Sequence, residues 1–214
     1  MSLAKQISEF KSGFVQNVPA EVQSIMAQAT QDLTLSGIID NAPKVSEKLS
    51  SFTLSNQVGK KRNLEALLDK GPLVITFYRG GWCPYCNLEL KSYQDALEKI
   101  ESTGATLIAI TPELPDNSLS TLEKNALTFE ILTDNNSDYA REIGLVFTLP
   151  EALRPIYDSF GIHIEEHNGT GQFDLPLAAT FVVAQNGTII NAFVDADYTK
   201  RQDPSDVVSI LESI

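Results

Sequence analysis

Cysteine and histidine are scarce in this sequence of 214 residues, which has two of each. Two cysteines are too few for the disulfide framework of a small secreted domain, and a chain of this length can bury a full core without such bridges. The hydrophobic fraction of 43% and the charged fraction of 21% are typical of globular proteins, which argues against intrinsic disorder. The composition therefore indicates one ordinary folded domain with an extension.

Basic residues are also few, since Lys and Arg total 16 against 28 Asp and Glu, which gives a formal net charge of -12. Such a surface repels phosphate backbones and anionic lipid, so nucleic acid is not expected as a partner. No stretch approaches the roughly 20 apolar residues of a membrane-spanning helix, and the first residues show no signal-peptide pattern. We therefore expect a cytoplasmic location, where a Cys-x-x-Cys pair is more often catalytic or metal-binding than a structural disulfide.

Two helical patterns open the chain and are separated by Pro19. Apolar residues recur at helical spacing in both: Ile7, Phe10 and Phe14, then Val22, Ile25, Met26 and Ala29. They predict an amphipathic extension over residues 1–45. Packing against the main domain is favoured over a dedicated partner-binding role.

Short apolar runs alternate with helical stretches from about residue 50 onward, which indicates an α/β sandwich with a mixed sheet. The turn-rich segment 161–176 predicts a surface hairpin or an excursion, and Asn186-Gly187 predicts a turn that makes the last two strands an antiparallel hairpin. The predicted strands are 73–78, 106–111, 128–134, 180–184 and 188–194, and the predicted helices are 86–101, 117–126, 137–143 and 204–213.

Both cysteines lie in "FYRGGWCPYCNLEL", residues 77–90, where a strand pattern gives way to a helix. Cys86 falls on the apolar stripe of that helix, whereas Cys83 precedes Pro84 at its start and is expected to be the more exposed sulfur. The helix N-terminus and the nearby Arg79 should lower the pKa of the Cys83 thiol. Residues three apart in a first helical turn are close enough for a disulfide, so a redox pair is the favoured interpretation.

Two other interpretations stay open for the cysteines. They could be inert buried sulfurs, or they could join His163 and His167 in a literal C-x2-C…H-x3-H metal pattern. The separation between the two pairs is far longer than in a zinc finger, and the histidines lie in the turn-rich segment. Two lone surface imidazoles are therefore favoured over metal ligands, and no metal is expected.

Trp82 through Cys86 resembles the W-C-x-x-C active site of the thioredoxin superfamily. The order of elements along the chain is similar to that of the alkyl hydroperoxide reductase/thiol-specific antioxidant (AhpC/TSA) family, the peroxiredoxins. The segments that carry this likeness are, in order, "FTLSNQVGKKRNLEALLDKGPLVITFYRGGWCPYCNLELKSYQ", "GATLIAITPE", "LTFEILTD", "AREIGLVF" and "ATFVVAQNGTIINAFVD". The resemblance implies a thioredoxin-like fold, a mixed β-sheet flanked by helices, over residues 46–214, with residues 1–45 as an N-terminal helical extension.

Two departures from the peroxiredoxin pattern matter for the chemistry, those at the family threonine and at the family arginine. In the family signature P-x-x-x-T-x-x-C, Arg79 stands at the proline, Cys83 at the threonine and Cys86 at the peroxidatic cysteine. The active-site arginine that normally precedes the late A-T-F strand is Ala178 here. The position of Cys83 at the start of the helix therefore favours Cys83 as the attacking sulfur, whereas the alignment with the family favours Cys86.

The resemblance implies a thiol peroxidase that uses Cys83 and Cys86 as its catalytic residues to reduce hydrogen peroxide and organic hydroperoxides. Thioredoxin or a glutaredoxin/glutathione system would recycle the pair, no cofactor is expected, and a homodimer is common in the family. One alternative is a thiol-disulfide oxidoreductase with little peroxidase activity, because both family residues are missing. Another is a noncatalytic redox sensor or adaptor that docks a partner through the N-terminal helices.

Overall fold

The computed structural model describes residues 1–214 and contains nine α-helices and nine β-strands. The helices are α1 Leu3–Asn17, α2 Ala20–Leu35, α3 Leu64–Leu68, α4 Pro84–Ser102, α5 Pro115–Asn125, α6 Asp138–Glu142, α7 Arg154–Ser159, α8 Ile164–Asn168 and α9 Pro204–Leu211. The strands are β1 Thr53–Asn56, β2 Lys61–Asn63, β3 Leu73–Phe77, β4 Thr106–Thr111, β5 Glu130–Thr133, β6 Val146–Thr148, β7 Asp174–Pro176, β8 Ala178–Val183 and β9 Ile189–Asp195. None of the helices is both long enough and apolar enough to cross a bilayer.

Seven strands form one mixed sheet in the order β2-β1-β5-β4-β3-β8-β9. Strands β3, β4 and β5 run parallel, and β8 pairs antiparallel with β3 in a register that places Phe77 beside Ala179. Strand β9 pairs antiparallel with β8 after a turn at Gly187, whose φ of 83° favours glycine. The predicted mixed sheet and final hairpin are confirmed.

The alternation of side chains along β3 places apolar residues on both faces of the sheet. Leu73, Ile75 and Phe77 join one core cluster, and Val74 and Tyr78 join the other. The second cluster includes the stripe of α4 that was predicted from the sequence, with Cys86 and Leu90 both fully buried. The central strand and α4 thus fix the position of the cysteine pair between a sheet and its covering helix.

The N-terminal helices pack on the rest of the chain, as predicted. Leu3 is buried, and its backbone N–H donates to Oδ2 of Asp203 at 3.2 Å. Val22, Met26 and Ala29 of α2 pack against a third apolar cluster, which joins the region around α7 to Trp82. The extension therefore reaches the segment that carries the cysteines.

The segment 161–176 does not form a hairpin of its own, so that prediction is wrong, while the alternative of an excursion before the last two strands is correct. Residues Ile164–Asn168 form α8, because Ile164 is buried in the third apolar cluster. Residues Asp174–Pro176 form β7, which pairs antiparallel with β6 in a separate two-stranded sheet. The turn residues between α8 and β7 include Gly169 and Gly171, both at positive φ.

Candidate active site

The cysteine pair lies at the junction of β3 and α4. Cys83 is the N-cap residue of α4, with extended backbone angles, and Pro84 occupies the first helical turn. Glycine is required in the loop before it, because a Cβ on Gly80 would lie 2.1 Å from Nε1 of Trp82 and one on Gly81 would lie 2.0 Å from Oγ1 of Thr121. The loop thus packs closely against neighbouring side chains as it leads into the helix.

Both sulfur-bearing side chains are fully buried, with 0% exposure for Cys83 and for Cys86. The prediction that Cys83 is the more exposed sulfur is therefore wrong. The helical pattern reports which face of α4 is buried against the sheet, but it does not report what covers the start of the helix. Side chains from distant parts of the chain cover Cys83.

Arg79 contacts the Cys83 sulfur, and the sequence predicted that this cation lies near the thiol. It is 4% exposed, and its Nη2 donates to Sγ of Cys83 at 3.2 Å while its Nη1 donates to the hydroxyl of Tyr157 at 3.2 Å. The guanidinium lies 4.1 Å from the ring centroid of Tyr198 and 5.1 Å from that of Trp82. No carboxylate pairs with Arg79, so the thiol is its only anionic partner once ionised.

A second arginine contacts the other cysteine. Nη2 of Arg201 donates to Sγ of Cys86 at 3.3 Å and to the carbonyl oxygen of Tyr198 at 2.9 Å. Nη1 of Arg201 donates to the carboxylate of Glu89, and both side chains of this ion pair are 1% exposed. Unlike Arg79, this cation has an acidic side chain as a partner.

The pKa values of the two thiols are shifted in opposite directions, although Arg79 and Arg201 favour the ionised form of both. Burial alone would raise the pKa of Cys83, but the hydrogen bond from the Cys86 thiol and the charges of Arg79 and Arg201 hold that pKa well below its ordinary value. Burial and the neighbouring Cys83 sulfur raise the pKa of Cys86 well above its ordinary value. The surroundings of the pair therefore favour ionisation of Cys83 over ionisation of Cys86.

An aromatic series connects the site to the N-terminal helices. Phe10 of α1 packs edge-on against Tyr85 at 5.2 Å between ring centroids, and Tyr85 packs against Tyr198 at 5.5 Å. A cavity of about 320 Å³ lies under α1 and is bordered by Phe10, Tyr85 and Arg79. A larger cavity of about 600 Å³ lies along α2 and also ends on Arg79. Helices α1 and α2 thus cover the approach to the cysteine pair.

The two histidines are placed beside carboxylates, and the structure does not bring them to the cysteines. Nδ1 of His163 lies 3.2 Å from Oδ1 of Asp158 on the surface. Nδ1 of His167 lies 3.0 Å from Oε1 of the buried Glu113, whose other oxygen accepts the N–H of Gly81 at 2.9 Å. The prediction of two lone surface imidazoles is correct in part for His163 and wrong for His167, because α8 brings His167 against Glu113. No group of three or more His, Cys, Asp or Glu side chains is arranged to hold a metal ion.

Several residues of this site are not predicted from the sequence. Arg201 and Tyr198 lie in "DADYTKRQDP", which reads as a charged turn and has no feature that links it to the cysteines. Ala178, which the sequence already places at the position of the family arginine, is buried at the start of β8, and the arginines of this site are Arg79 and Arg201. Glu89 could have been found, because an acid three residues after Cys86 on a buried helix face requires a cationic partner.

The mixed sheet, its covering helices and the buried cysteine pair at the start of α4 define a thioredoxin-like α/β protein with a Cys-x-x-Cys site. Solved peroxiredoxin structures share this fold. The peroxidoxin BcpB of Mycobacterium tuberculosis aligns with a TM-score of 0.63 at 19% identity, over 80% of this chain and 97% of that chain. A peroxiredoxin Q of Xanthomonas campestris aligns with a TM-score of 0.56 at 18% identity, over 76% of this chain and 90% of that chain.

Residues 45–192 match the model of the AhpC/TSA family, and the chain belongs to that family. It is 30% identical over 116 residues to a chloroplastic peroxiredoxin Q of Populus jackii, a match that covers 52% of this chain and 54% of the relative. It is 28% identical over 140 residues to a chloroplastic peroxiredoxin Q of Triticum aestivum, with 64% of each chain covered. The chain thus spans between half and two thirds of the length of these relatives. The resemblance predicted from the sequence is confirmed.

Proposed function

We propose that the protein is a thiol peroxidase in which Cys83 attacks the hydroperoxide and Cys86 resolves the product. One observation carries the proposal: the Cys83 sulfur lies 3.2 Å from the guanidinium of Arg79, a buried cation that has no carboxylate partner. An ionised thiol is the nucleophile of such reactions, and this cation favours the ionised form. The relatives named peroxiredoxin Q support the same reaction class.

The first step transfers one oxygen atom to sulfur. The Cys83 thiolate attacks the terminal oxygen of the hydroperoxide, the O–O bond breaks, and the leaving oxygen takes a proton to become an alcohol or water. Sulfur is oxidised to sulfenic acid while the peroxide is reduced by two electrons. Nε of Arg79 is buried and has no hydrogen-bond partner, so it has a donor free for a peroxide oxygen as negative charge develops there.

The second step joins the two sulfurs. Cys86 attacks the sulfenic sulfur, a disulfide forms, and the hydroxyl leaves as water with the proton of the Cys86 thiol. Arg201 contacts Cys86 at 3.3 Å and favours the thiolate during this attack. An external dithiol or two equivalents of glutathione then reduce the disulfide and restore both thiols.

Variants of the two cysteines test the order of these steps. In Cys86→Ser, one equivalent of peroxide should leave a sulfenic acid on Cys83, detected by mass spectrometry after dimedone labelling. In Cys83→Ser, the remaining thiol should react at least about tenfold more slowly, because its pKa is raised. Stopped-flow fluorescence of Trp82, the only tryptophan in the chain, follows the oxidation. Dimedone labelling of Cys86 in the Cys83→Ser variant at the wild-type rate would reverse the assignment.

A thiol-disulfide oxidoreductase is the second candidate, and the position of Cys83 at the N-terminus of α4 supports it. A low-pKa thiol at a helix start, three residues before a second thiol, is suited to disulfide exchange. The burial of both sulfurs under α1 and α2 favours a small peroxide over a protein disulfide as the oxidant. Insulin reduction and peroxide consumption, measured on one preparation, distinguish the two functions.

Further features are proposed from the family and the composition. Thioredoxin or a glutaredoxin/glutathione system is the proposed reductant, and pairing into a homodimer and a cytoplasmic location stay predictions. We also propose that residues 1–45 are an accessory extension of a catalytic domain formed by residues 46–214. The packing of α1 and α2 over the cysteine pair supports a role for this extension in access to the site.

A further inference from the structure

The larger of the two cavities near the cysteine pair is lined mainly by apolar side chains. It has a volume of about 600 Å³, within the range of small-molecule sites, and ten of its 18 lining residues are hydrophobic. Ala29 and Leu33 of α2 form one side, and Leu153 lies in the opposite side. Both α2 residues precede residue 45, so this wall lies outside the segment that matches the family model.

Polar groups meet the cavity where it approaches the reactive sulfur. Arg79, Tyr157 and Tyr198 line it, and the guanidinium of Arg79 bonds both the Tyr157 hydroxyl and Cys83 at 3.2 Å. The cavity therefore ends at Arg79, the buried side chain that contacts the Cys83 sulfur. A molecule with one reactive polar end and an apolar body fits this arrangement of polar and apolar surface.

The charges of the lining select against ionic occupants. Arg79 is the only basic lining residue and is already used by Cys83, and Asp32 is the only acidic one. A carboxylate-bearing molecule would find no free cation there and would approach a chain of net charge -12. Glutathione, with several charges and little apolar surface, would leave those charges without partners.

We propose that this cavity binds the uncharged apolar substituent of an alkyl or aryl hydroperoxide, and that α2 thereby sets the substrate preference of the enzyme. The inference rests on the proposed function, because the hydroperoxide must reach Cys83. The substituent lies against Ala29 and Leu33, and the peroxide group points to Arg79. Hydrogen peroxide has no substituent and gains nothing from this wall, so the protein prefers bulky apolar hydroperoxides to hydrogen peroxide.

Filling the cavity from either side tests the proposal. Ala29→Phe fills it from α2, and Ala152→Phe fills it from an exposed lining position on the opposite side, which keeps the test valid if the first variant folds poorly. Leu35→Phe, at a residue of α2 that is 74% exposed and borders neither cavity, is the matched control. The ratio of the rate constants for cumene hydroperoxide and hydrogen peroxide should fall about tenfold in both cavity variants and stay at the wild-type value in the control.

A binding measurement separates this inference from the proposed function. 2-Phenyl-2-propanol, the alcohol product of cumene hydroperoxide, should quench or shift the fluorescence of Trp82, which packs against Arg79 and Tyr157. Its dissociation constant should rise about tenfold in Ala29→Phe. Absence of binding to the wild-type protein, or an unchanged rate ratio in both cavity variants, overturns the inference. Binding that is sensitive to Ala29, in a protein whose thiols ignore both hydroperoxides, supports the cavity and overturns the peroxidase.

Discussion

Arg79 is a buried cation that favours ionisation of the Cys83 thiol. Both thiols are fully buried and each contacts a guanidinium, at 3.2 Å for Cys83 and 3.3 Å for Cys86. The difference lies in the partners of the cations, because Arg201 is paired with Glu89 and Arg79 has no acid. A buried cation without a counter-charge is costly, so the Cys83 thiolate is stabilised as the missing anion.

Removal of the Arg79 charge should therefore raise the pKa of Cys83. In Arg79→Gln, alkylation by iodoacetamide at pH 6.5 should slow by about tenfold or more, since a hydrogen bond to a charged group contributes about 1.5–3 kcal/mol. Arg62→Gln is the control, because Arg62 pairs with Glu130 on β5, far from the cysteines. Equal alkylation rates in Arg79→Gln and the wild type would show that another group ionises Cys83.

Glu89 should make stability depend on pH. Burial raises the pKa of this carboxyl to about 7 from an ordinary 4.5, although Arg201 acts in the opposite direction. The folded protein therefore holds a proton that the unfolded chain releases, and the contribution of Glu89 to the free energy of unfolding falls as the pH rises from 4.5 through 7. The loss is of the order of 3 kcal/mol.

Glu89→Gln has no carboxyl to titrate at this position. The free energy of unfolding should therefore fall less between pH 5 and pH 8 in this variant than in the wild type. Urea unfolding at both pH values measures it. Glu98→Gln, at an exposed acid on the same helix, is the control and should follow the wild-type pH dependence. A wild-type slope in Glu89→Gln would place the titrating group elsewhere.

At the scale of elements, α1 and α2 act as a cover held to the domain by a few contacts. Leu3 is buried and its backbone N–H donates to Asp203 at the start of α9, and Phe10 packs on Tyr85 next to the cysteines. The polar contacts of α1 with the rest of the chain are few, such as Lys11 with Thr199 at 3.5 Å. The cover thus depends mainly on apolar contacts along α1 and α2.

Loss of the Leu3 anchor should expose the thiols. Replacing a buried Leu by Ala costs about 2–5 kcal/mol. In Leu3→Ala this cost should weaken the packing of α1 against the rest of the chain. In Leu3→Ala, hydrogen exchange across α1 should quicken and the bulky thiol reagent 5,5′-dithiobis(2-nitrobenzoate) should react faster with Cys83. Leu35→Ala, at an exposed residue of α2, should change neither rate. Unaltered reagent access in Leu3→Ala would mean that α1 does not limit entry to the site.

The sequence predicts those helices and strands whose own residues show a hydrophobic periodicity or a turn motif. Strand β3 and helix α4 follow from apolar runs and a helical stripe, and the hairpin of β8 and β9 follows from its Asn-Gly turn. Strands β1 and β2 were not predicted because they have only four and three residues with little alternation. Arg201 was missed for another reason, since it meets Cys86 from 115 residues further along the chain. No local pattern records such a contact.

At the scale of the whole molecule, the redox state should control the balance of buried charge. In the reduced protein, the Cys83 thiolate neutralises Arg79 inside an otherwise acidic chain of net charge -12. A Cys83–Cys86 disulfide carries no charge, so its formation leaves Arg79 buried without a counter-charge. Oxidation therefore loses an ion pair and gains a short cross-link, and only the ion pair depends on pH.

This difference gives a test on the intact protein, because reduced and oxidised forms should respond differently to pH. A thiol whose pKa is lowered in the folded state stabilises it at high pH, and the contribution is lost as the pH falls through the folded pKa. Between pH 5 and pH 8, below the range in which an ordinary thiol ionises, the reduced form should gain about 1.5–3 kcal/mol of unfolding free energy relative to the oxidised form. Urea unfolding with and without a reductant measures this, and the double variant Cys83→Ser/Cys86→Ser should show no effect of the reductant. Parallel pH curves for the two redox forms would mean that the Cys83 thiolate does not neutralise Arg79, because the disulfide alone contributes equally at every pH.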